Sequence, residues 1–484
     1  MHVRTSSENI PIRFLSCVSV LGVILPVLAI VMTDGRPSFL LAIATCVTVY
    51  AGFRLSYLAF YSAGSILQLT FWIFVYCWLG LAAMVQLKAG RFPWPTATDS
   101  DDFVRAEVVV ILGLAAYETG VRFSRKPTHA RPAFFTLGLP SLGRFTLLTF
   151  ACLAISSWAI YKKGGASEVV RTRYELKGIS KRSGMAQSDL LTYTSLQRVP
   201  PVVSLLVSIY LFTQKRAFRR HRRYLTLILT GLILFNLVAN YPPSLPRLYL
   251  GFILFSIASL ILRSRAKLVP LFVLGMIVGL TVLFPYTDYF RTRAGYGAHD
   301  LEAPTQKLID KPDYDVFQMI SNTVKVVNER GVARGYNFLG AMLFFVPRAV
   351  WPEKPHGTGW AVGQQVGYLM LNLSSPLWAE FYYGGGIMLV IVGFWVYGYA
   401  TRRSERQAFR FSTKPLFVAY AAGMQMFLLR GDLLNSVAYF APGALLLLMF
   451  VGQPAWSQSA AATSTQVARS KMTGLQPRLL LGKD

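Results

Sequence analysis

Charged residues are scarce in this chain of 484 residues: they make up 15% of it, whereas soluble globular proteins carry about 25%. Cysteine is also rare, and all four copies lie inside apolar runs, at Cys17, Cys46, Cys77 and Cys152. That placement suits neither a disulfide framework nor a zinc site, so we expect small apolar packing residues. The low charge content nearly excludes a water-soluble protein.

Hydrophobic residues are abundant instead, at 54% of the chain, and they are grouped into about twelve apolar runs. The runs cover residues 14–32, 38–53, 66–86, 106–120, 145–161, 199–212, 224–239, 248–262, 268–286, 381–400, 415–429 and 434–451. A helix needs about 20 apolar residues to cross a bilayer, and the alternation typical of barrel strands is not seen. The sequence predicts an all-α polytopic membrane protein of about twelve transmembrane helices, with one membrane domain over 1–452 and a disordered cytoplasmic tail over 453–484.

The positive charges predict an orientation. The chain has 49 Lys and Arg against 22 Asp and Glu, a net charge of +27, and loops on the cytoplasmic side keep Lys and Arg. With the N-terminus inside, the basic segments 122–144, 215–223, 263–267 and 402–414 all face the cytoplasm. We therefore expect both termini inside and a multi-pass protein of the cytoplasmic membrane. The inner-leaflet surface accounts for the net charge, so no nucleic-acid partner is predicted.

Two predicted extracytoplasmic loops, 162–198 and 287–380, are longer than a helix connection needs, and long loops often carry function. The first is basic and contains Arg171 and Arg173, which favours an anionic ligand, although long loops also escape the positive-inside bias. The second contains an apolar segment, 336–346, that is too short to span a bilayer. We expect a re-entrant or interfacial helix there.

The second loop also carries cations beside aromatic residues. The members of this cluster are Arg348, Trp351, Lys354, Trp378, Glu380 and Tyr383. An arginine fork binds phosphate bidentately, and aromatic faces suit both sugars and the membrane interface. The cluster predicts a pocket for a glycan attached to a phosphate. The alternatives are an interfacial belt for each Trp and a helix-start acid for Glu380.

Further ionisable residues lie at the edges of the predicted spans, where charges are often functional. Arg247 opens the eighth span, Arg291 follows the ninth, and Arg430 and Asp432 lie in the turn before the last span. For Arg430 and Asp432 a structural ion pair is an equally good interpretation. Glu118 and Arg122 have the spacing of an ion pair on one helix and are set aside.

With these residues in place, the chain resembles the oligosaccharide repeat-unit polymerases, the Wzy-type O-antigen polymerases of bacteria. The main motif is PR-x-x-WP-x-KP over 347–355, and WAEFYYGG over 378–385 is the later match. The segment GRFPW over 90–94 and RGD over 430–432 also look like that family. The similarity covers most of the chain, but its motifs are short.

The resemblance implies a GT-C-like arrangement and glycosyl transfer from an undecaprenyl-pyrophosphate-linked chain to a sugar hydroxyl of a new lipid-linked repeat unit. It implies membrane lipid, a flippase and a chain-length regulator as further partners. Arginines can stabilise the pyrophosphate leaving group without a metal, so neither metal nor cofactor is expected. We assign Arg348 and Arg247 to the pyrophosphate and Glu380 to the acceptor hydroxyl, as general base or orienting group. The predicted substrate-binding residues are Arg171, Arg173, Arg291, Trp351, Lys354, Trp378, Tyr383, Arg430 and Asp432.

Three other functions stay open. An O-antigen ligase would use the same arginines with another acceptor. A single-sugar transferase that uses a polyprenyl phosphate donor commonly has an acidic pair in an early outer loop; Asp99, Asp101 and Asp102 are the candidates here, although a solvated loop is the simpler interpretation. A transporter or flippase would have ionisable residues near the bilayer midplane.

Overall fold

The computed structural model describes residues 10–62, 64–95, 98–124, 135–169, 187–214, 218–263, 265–288, 303–371, 373–408 and 414–454. This part of the chain is almost entirely helical. In chain order the helices are α1 (Ile10–Val31), α2 (Phe39–Tyr61), α3 (Ile66–Ala89), α4 (Ser100–Phe123), α5 (Leu142–Lys162), α6 (Ala166–Val169), α7 (Gln187–Thr213), α8 (Arg222–Ala239), α9 (Arg247–Leu262), α10 (Ala266–Tyr286), α11 (Pro304–Asp310), α12 (Val316–Arg330), α13 (Tyr336–Met342), α14 (Thr358–Val366), α15 (Leu377–Ala408), α16 (Lys414–Arg430) and α17 (Leu433–Val451).

Nine helices in the described ranges are long and apolar enough to cross a membrane, namely α1, α2, α3, α5, α7, α8, α10, α15 and α17. The protein is therefore a multi-pass membrane protein. The other three predicted runs are also helical but do not share those properties. Helices α9 and α16 have 16 and 17 residues, and α4 carries acidic and basic residues along its length.

The core is centred on α3, which is buried from Ile66 to Gln86. Its aromatic residues pack against those of α15: the ring of Phe71 lies 5.9 Å from that of Trp378, and Phe74 lies 6.2 Å from it. A second apolar cluster joins α7, α9 and α16 through residues such as Val203, Phe252 and Tyr420. The bundle thus holds α9 and α16, whose ends carry Arg247 and Arg430, against its interior.

Helix α4 packs closely along α15 because small residues line the contact. A Cβ at Gly120 would lie 2.0 Å from the carbonyl oxygen of Trp395, and one at Gly398 would lie 2.2 Å from that of Tyr117. Glycine is therefore required for this approach. The same helix overturns one prediction, because Glu118 pairs with Arg54 of α2 at 2.7 Å rather than with Arg122.

The segment around Asp99 is a helix start, and Asp99 and Asp101 are exposed, as a solvated segment predicts. The Asp99 carboxylate accepts from the backbone N–H groups of Asp101 and Asp102, which is an N-cap. Asp102 itself is buried, and Asn328 of α12 donates to its carboxylate at 3.4 Å. The solvated interpretation is therefore wrong only for Asp102, which α12 covers.

The second predicted loop, 287–380, is called the late loop below. Its described part is folded to a degree that the sequence did not predict. Helix α12 is amphipathic, and most of its first eleven residues are buried in the bundle. The segment 336–346, predicted as a re-entrant or interfacial helix, contains a helix that ends at Met342. After a turn-rich stretch and α14, the chain enters α15 at Leu377, four residues before the predicted start.

Helix α15 is broken near its beginning. Gly385 and Gly386 leave the helical conformation, and Gly386 has φ 65° and ψ −159°, a combination that favours glycine. The carbonyls of Tyr383 and Gly384 instead accept from the backbone N–H groups of Ala333 and Gly335 at 2.7 and 2.8 Å. The break sets a short helical segment, with Glu380 on it, apart from the rest of α15.

A short antiparallel ribbon joins two distant parts of the chain. Strand β1 (Phe135–Leu137) pairs with β2 (Gly452–Pro454), with Phe135 opposite Pro454. Gln453 and Pro454, the first two residues of the predicted tail, thus belong to this ribbon. Residues 455–484 lie outside the described ranges.

All four cysteines lie in helices. Cys77 and Cys152 are buried, as expected of packing residues, whereas Cys17 is partly buried and Cys46 is exposed.

Candidate functional site

Two buried carboxylates, Glu380 and Asp432, form the centre of the site and are called the carboxylate pair below. Glu380 is 1% exposed. Its Oε2 accepts from Thr358 Oγ1 at 2.6 Å and from Asn337 Nδ2 at 3.0 Å, and its Oε1 accepts from the N–H of Leu433 at 2.9 Å. The Glu380 carboxylate thus ties together the starts of three helices: α13, α14 and α17.

Asp432 is held in the same way, by backbone donors. Its Oδ2 accepts from the N–H of Gly359 at 3.1 Å and its Oδ1 from the N–H of Leu434 at 3.0 Å. A Cβ at Gly357 would lie 2.1 Å from Asp432 Oδ2, so this glycine lets the loop close on the carboxylate. Burial raises the pKa of Asp432, and the backbone hydrogen bonds oppose that shift.

Arg247 and Asp313 form an ion pair beside these carboxylates. Arg247 Nη1 donates to Asp313 Oδ2 at 2.6 Å, and its guanidinium lies 5.2 Å from the centre of the Phe284 ring. The Arg247 side chain is 10% exposed and that of Asp313 27% exposed. Asp313 is thus the most accessible carboxylate of the site, and it occupies one edge of a largely buried guanidinium.

Arg430 binds the same segment from α16. It donates to the carbonyls of Asp313 and Pro312 at 2.9 and 2.8 Å, and it pairs with Asp315 Oδ1 at 3.4 Å. Asp315 also accepts from Ser374 Oγ at 2.6 Å and from Trp94 Nε1 at 2.9 Å. Burial raises the pKa of Asp315, and the Arg430 charge opposes that shift.

Arg430 and Asp432 therefore do not form the ion pair that their spacing allowed. The arginine goes to Asp315, and Asp432 turns to Gly359 instead. Together, Arg247, Asp313, Asp315 and Arg430 are called the arginine–aspartate cluster below. Trp94 of the GRFPW segment and Arg430 of the RGD segment both contact Asp315, so the cluster joins these two segments.

Arg348 lies on the exposed side of the late loop. It donates to the Lys354 carbonyl at 2.6 Å and lies 3.2 Å from His356 Nδ1. A guanidinium only donates, so His356 Nδ1 accepts and the N–H of the neutral ring is at Nε2. Burial, and then the Arg348 charge, lower the pKa of His356, whose ring stacks on Trp360 at 3.9 Å.

Lys354 has a structural position rather than the ligand-facing one that was predicted. It is 8% exposed, and its Nζ donates to the carbonyls of Phe344 and Val346 at 2.6 and 3.1 Å. These carbonyls follow the end of α13, where backbone acceptors have no helical partner. Burial, then the charge of Arg348, lower the pKa of Lys354.

The predicted aromatic residues are dispersed. Trp378 is fully buried in the core and donates to the Val110 carbonyl at 3.3 Å, so the structure places it away from any glycan-binding surface. Trp351 lies against Tyr336 with the rings 5.8 Å apart. Tyr383 is half-buried and packs against a small cluster that contains Met319.

Three predicted ligands, Arg171, Arg173 and Arg291, fall outside the residues that the structure describes. The structure therefore leaves their predicted role as it stood.

Several important residues were not singled out from the sequence. Asp313 and Asp315 lay in a stretch that looked like polar loop, and Asn337 lay inside the apolar segment 336–346. His356 and Thr358 come just after the PR-x-x-WP-x-KP motif. The last two had a usable signal, since a hydroxyl and an imidazole beside a cationic motif suit phosphate or hydroxyl binding. Asp313 and Asp315 had none, because their partners are more than 60 residues away.

Among the described residues, no group of three or more His, Cys, Asp or Glu is arranged to hold a metal ion. Comparison of the chain with models of known protein families, with curated proteins and with solved structures finds no match.

Proposed function

We propose that the protein is a membrane glycosyltransferase that polymerises lipid-linked oligosaccharide repeat units at the outer face of a bacterial cytoplasmic membrane. The proposal follows from the sequence resemblance to Wzy-type polymerases. The observation that supports it most is that residues just after one motif join the acidic residues of two others at the carboxylate pair. Thr358 and Gly359, just after PR-x-x-WP-x-KP, donate to Glu380 of WAEFYYGG and to Asp432 of RGD.

The reaction that we propose breaks the bond between the anomeric carbon of the growing chain and its pyrophosphate. A hydroxyl of the incoming repeat unit forms the new glycosidic bond, and the lipid pyrophosphate leaves. Charge develops on the pyrophosphate oxygens, which arginines stabilise when they are already in place. In this proposal Arg247 exchanges Asp313 for the pyrophosphate, while Arg348 and the Nε2–H of His356 contact it from the late loop.

The carboxylate roles differ from those predicted. Glu380 is buried and both of its oxygens accept hydrogen bonds, so we assign it a positioning role that fixes the late loop. Asp313 is more exposed and is released when Arg247 binds pyrophosphate. In our proposal Asp313 then accepts the proton of the attacking hydroxyl.

The test is a glycan gel with analysis of the lipid carrier, in a strain that lacks the gene and carries the wild type or Arg348→Ala. We expect the variant to lose long polymer while single repeat units accumulate outside the membrane, at normal protein levels. The matched control is Arg265→Ala, which removes an exposed arginine after the opposite end of α9. Normal polymer in the Arg348→Ala strain would contradict the proposal.

A transporter of lipid-linked glycan is the second candidate, and the break in α15 is the observation that favours it. Broken helices beside buried charges are typical of secondary transporters, and Gly385 and Gly386 interrupt α15 close to Glu380. The same experiment separates the two functions. A flippase defect would leave repeat units on the inner side of the membrane, whereas a polymerase defect would leave them outside.

Shortened repeat units would instead indicate a single-sugar transferase, and complete polymer that fails to reach its acceptor would indicate a ligase.

A further inference from the structure

A second group of cations, one partly and one fully buried, lies apart from the site described above. Lys163 directly follows α5, and Arg198 lies within α7, where the ends of α8 and α9 approach it. Gln197 joins these elements: it accepts from Lys163 Nζ at 2.8 Å and donates to the Ala239 carbonyl at 2.6 Å. Lys163 and Arg198 are called the cation pair below.

Arg198 is buried and has few partners among the described residues. The residue is 6% exposed, and within the described ranges Nη2 donates to the Ser244 carbonyl at a long 3.4 Å, while Nε has no hydrogen-bond partner there. The guanidinium lies 5.9 Å from the centre of the Tyr249 ring, a contact that supplies no negative charge of its own. A guanidinium carries five N–H donors, so the described residues use only a small part of the donor capacity of Arg198.

Lys163 adds a second positive charge to the same place. Its Nζ donates to the neutral side chains of Gln197 and Thr194. Burial, and then the Arg198 charge, lower the pKa of Lys163 to about 8. Two like charges in one buried region repel each other, and a buried charge without a counter-ion is strongly unfavourable.

Other largely buried arginines in the described ranges have a carboxylate partner. Arg54 pairs with Glu118, Arg247 with Asp313 and Arg430 with Asp315. For Lys163 and Arg198, the neighbours among described residues are amides, hydroxyls, carbonyls and a ring. The cation pair is thus built like an ion-pair site in which the anion is supplied from outside the fold.

We propose that Lys163 and Arg198 bind an anion of the phosphate class, either the head group of an anionic lipid or a free phosphate. The inference goes beyond the proposed function, because it holds whether the protein polymerises or transports its substrate. Position and chemistry agree: Lys163 follows the last residue of a membrane-spanning helix, which is the level of lipid head groups. Lys163 is partly exposed, whereas Arg198 is buried.

The experiment uses the purified full-length protein and separates the two sources of phosphate. In one arm, inorganic phosphate and pyrophosphate are titrated against the protein in a neutral detergent. In the other, nanodiscs contain phosphatidylcholine alone or with phosphatidylglycerol, and native mass spectrometry counts the retained lipids. Binding is measured for wild type, Lys163→Gln and Arg198→Gln. The control is Lys162→Gln, which removes an exposed lysine next to the site.

We expect one arm to show binding that falls about tenfold or more in both test variants and stays unchanged in Lys162→Gln, because each test variant removes one charge-assisted contact. Loss in the phosphatidylglycerol arm alone identifies a lipid site, and loss in the detergent arm identifies a free-phosphate site. Binding that is equal in all four proteins, or absent from both arms, would overturn the proposal.

Lys163→Arg keeps the test decisive if Arg198→Gln does not fold. Arginine stays charged at high pH, whereas Lys163 loses its proton above about pH 8. The groups that face Lys163 are Arg198, Gln197 and Thr194, and none of these side chains becomes charged or neutral between pH 7 and 9. Binding should weaken from pH 7 to pH 9 in wild type relative to Lys163→Arg. Identical pH profiles for the two proteins would show that Lys163 does not contact the anion.

Discussion

The carboxylate pair and the arginine–aspartate cluster differ in the partners of their carboxylates. Glu380 and Asp432 accept hydrogen bonds from neutral donors: a hydroxyl, an amide and backbone N–H groups. Asp313 and Asp315 instead face guanidinium groups. Neutral donors fix geometry without neutralising charge, whereas guanidinium partners also compensate it. The first group is therefore suited to shaping the late loop, and the second to keeping arginines charged and in position near a membrane.

The two aspartates of the arginine–aspartate cluster also differ from each other, in exposure and in partners. Asp315 is 2% exposed and has three side-chain partners, whereas Asp313 is 27% exposed and uses its carboxylate on Arg247. The backbone of the Asp313 segment is fixed independently, since Trp78 and Arg430 both donate to the Asp313 carbonyl. Asp315 thus resembles a structural centre, and Asp313 can change partner without disturbing the fold.

The largest effect is expected for Arg247→Ala. If the arginine–aspartate cluster serves to present a cation, polymer formation should fall about 100-fold or more, the usual loss when a transition-state donor is removed. Protein level and melting temperature should change little by comparison. The glycan gel with quantified long polymer gives the result, with Arg265→Ala as the control. Normal polymer in the Arg247→Ala strain would mean that this cluster is structural throughout.

A second prediction tests the difference between the aspartates. Asp315→Ala removes one partner of a buried ion pair and should destabilise the protein by about 3 kcal/mol or more. Asp313→Ala breaks a more exposed pair and should destabilise less, while it should still abolish polymer formation. Thermal unfolding in detergent, followed with the glycan gel, measures both. Equal destabilisation by the two variants would remove the distinction drawn between them.

The smallest expected effect concerns the carboxylate pair. Gly357→Ala would place a methyl group against the Asp432 carboxylate, so the loop must shift, at a cost of about 1–3 kcal/mol for an overpacked site. Gly251→Ala is the matched control, because a Cβ there meets no atom within 4 Å. We expect Gly357→Ala to lower the melting temperature and the polymer yield together. A melting temperature that falls in Gly251→Ala but not in Gly357→Ala would contradict the inference that the carboxylate pair is a rigid element.

Much of the membrane architecture could be predicted from apolar runs alone. Each of the twelve runs matches a helix of the described chain and extends at most one residue beyond it, because a backbone in hydrocarbon must form its own hydrogen bonds. Boundaries were less certain: α15 begins at Leu377 and α7 at Gln187, since polar helix ends look like loop. The folded late loop was missed for a related reason, as α12 is amphipathic rather than uniformly apolar.

The site shows the limit more sharply. From the sequence, residue type and position were enough to select five candidates: Arg247, Arg348, Glu380, Arg430 and Asp432. The sequence did not indicate their partners. Arg430 and Asp432 are two residues apart, and only the packing of α16 and α17 against distant segments sends one to Asp315 and the other to Gly359.

By itself, then, the sequence determined that the chain is a helical membrane protein and which ionisable residues lie at the ends of its helices. Hydrophobicity and helix formation act over short stretches of chain, so they can be read locally. The tertiary structure alone decided which acids meet arginines, which meet neutral donors, and that Lys163 and Arg198 share a region with no acid among the described residues. Pairing of buried charges depends on contacts between segments far apart in the chain, and no local pattern encodes it.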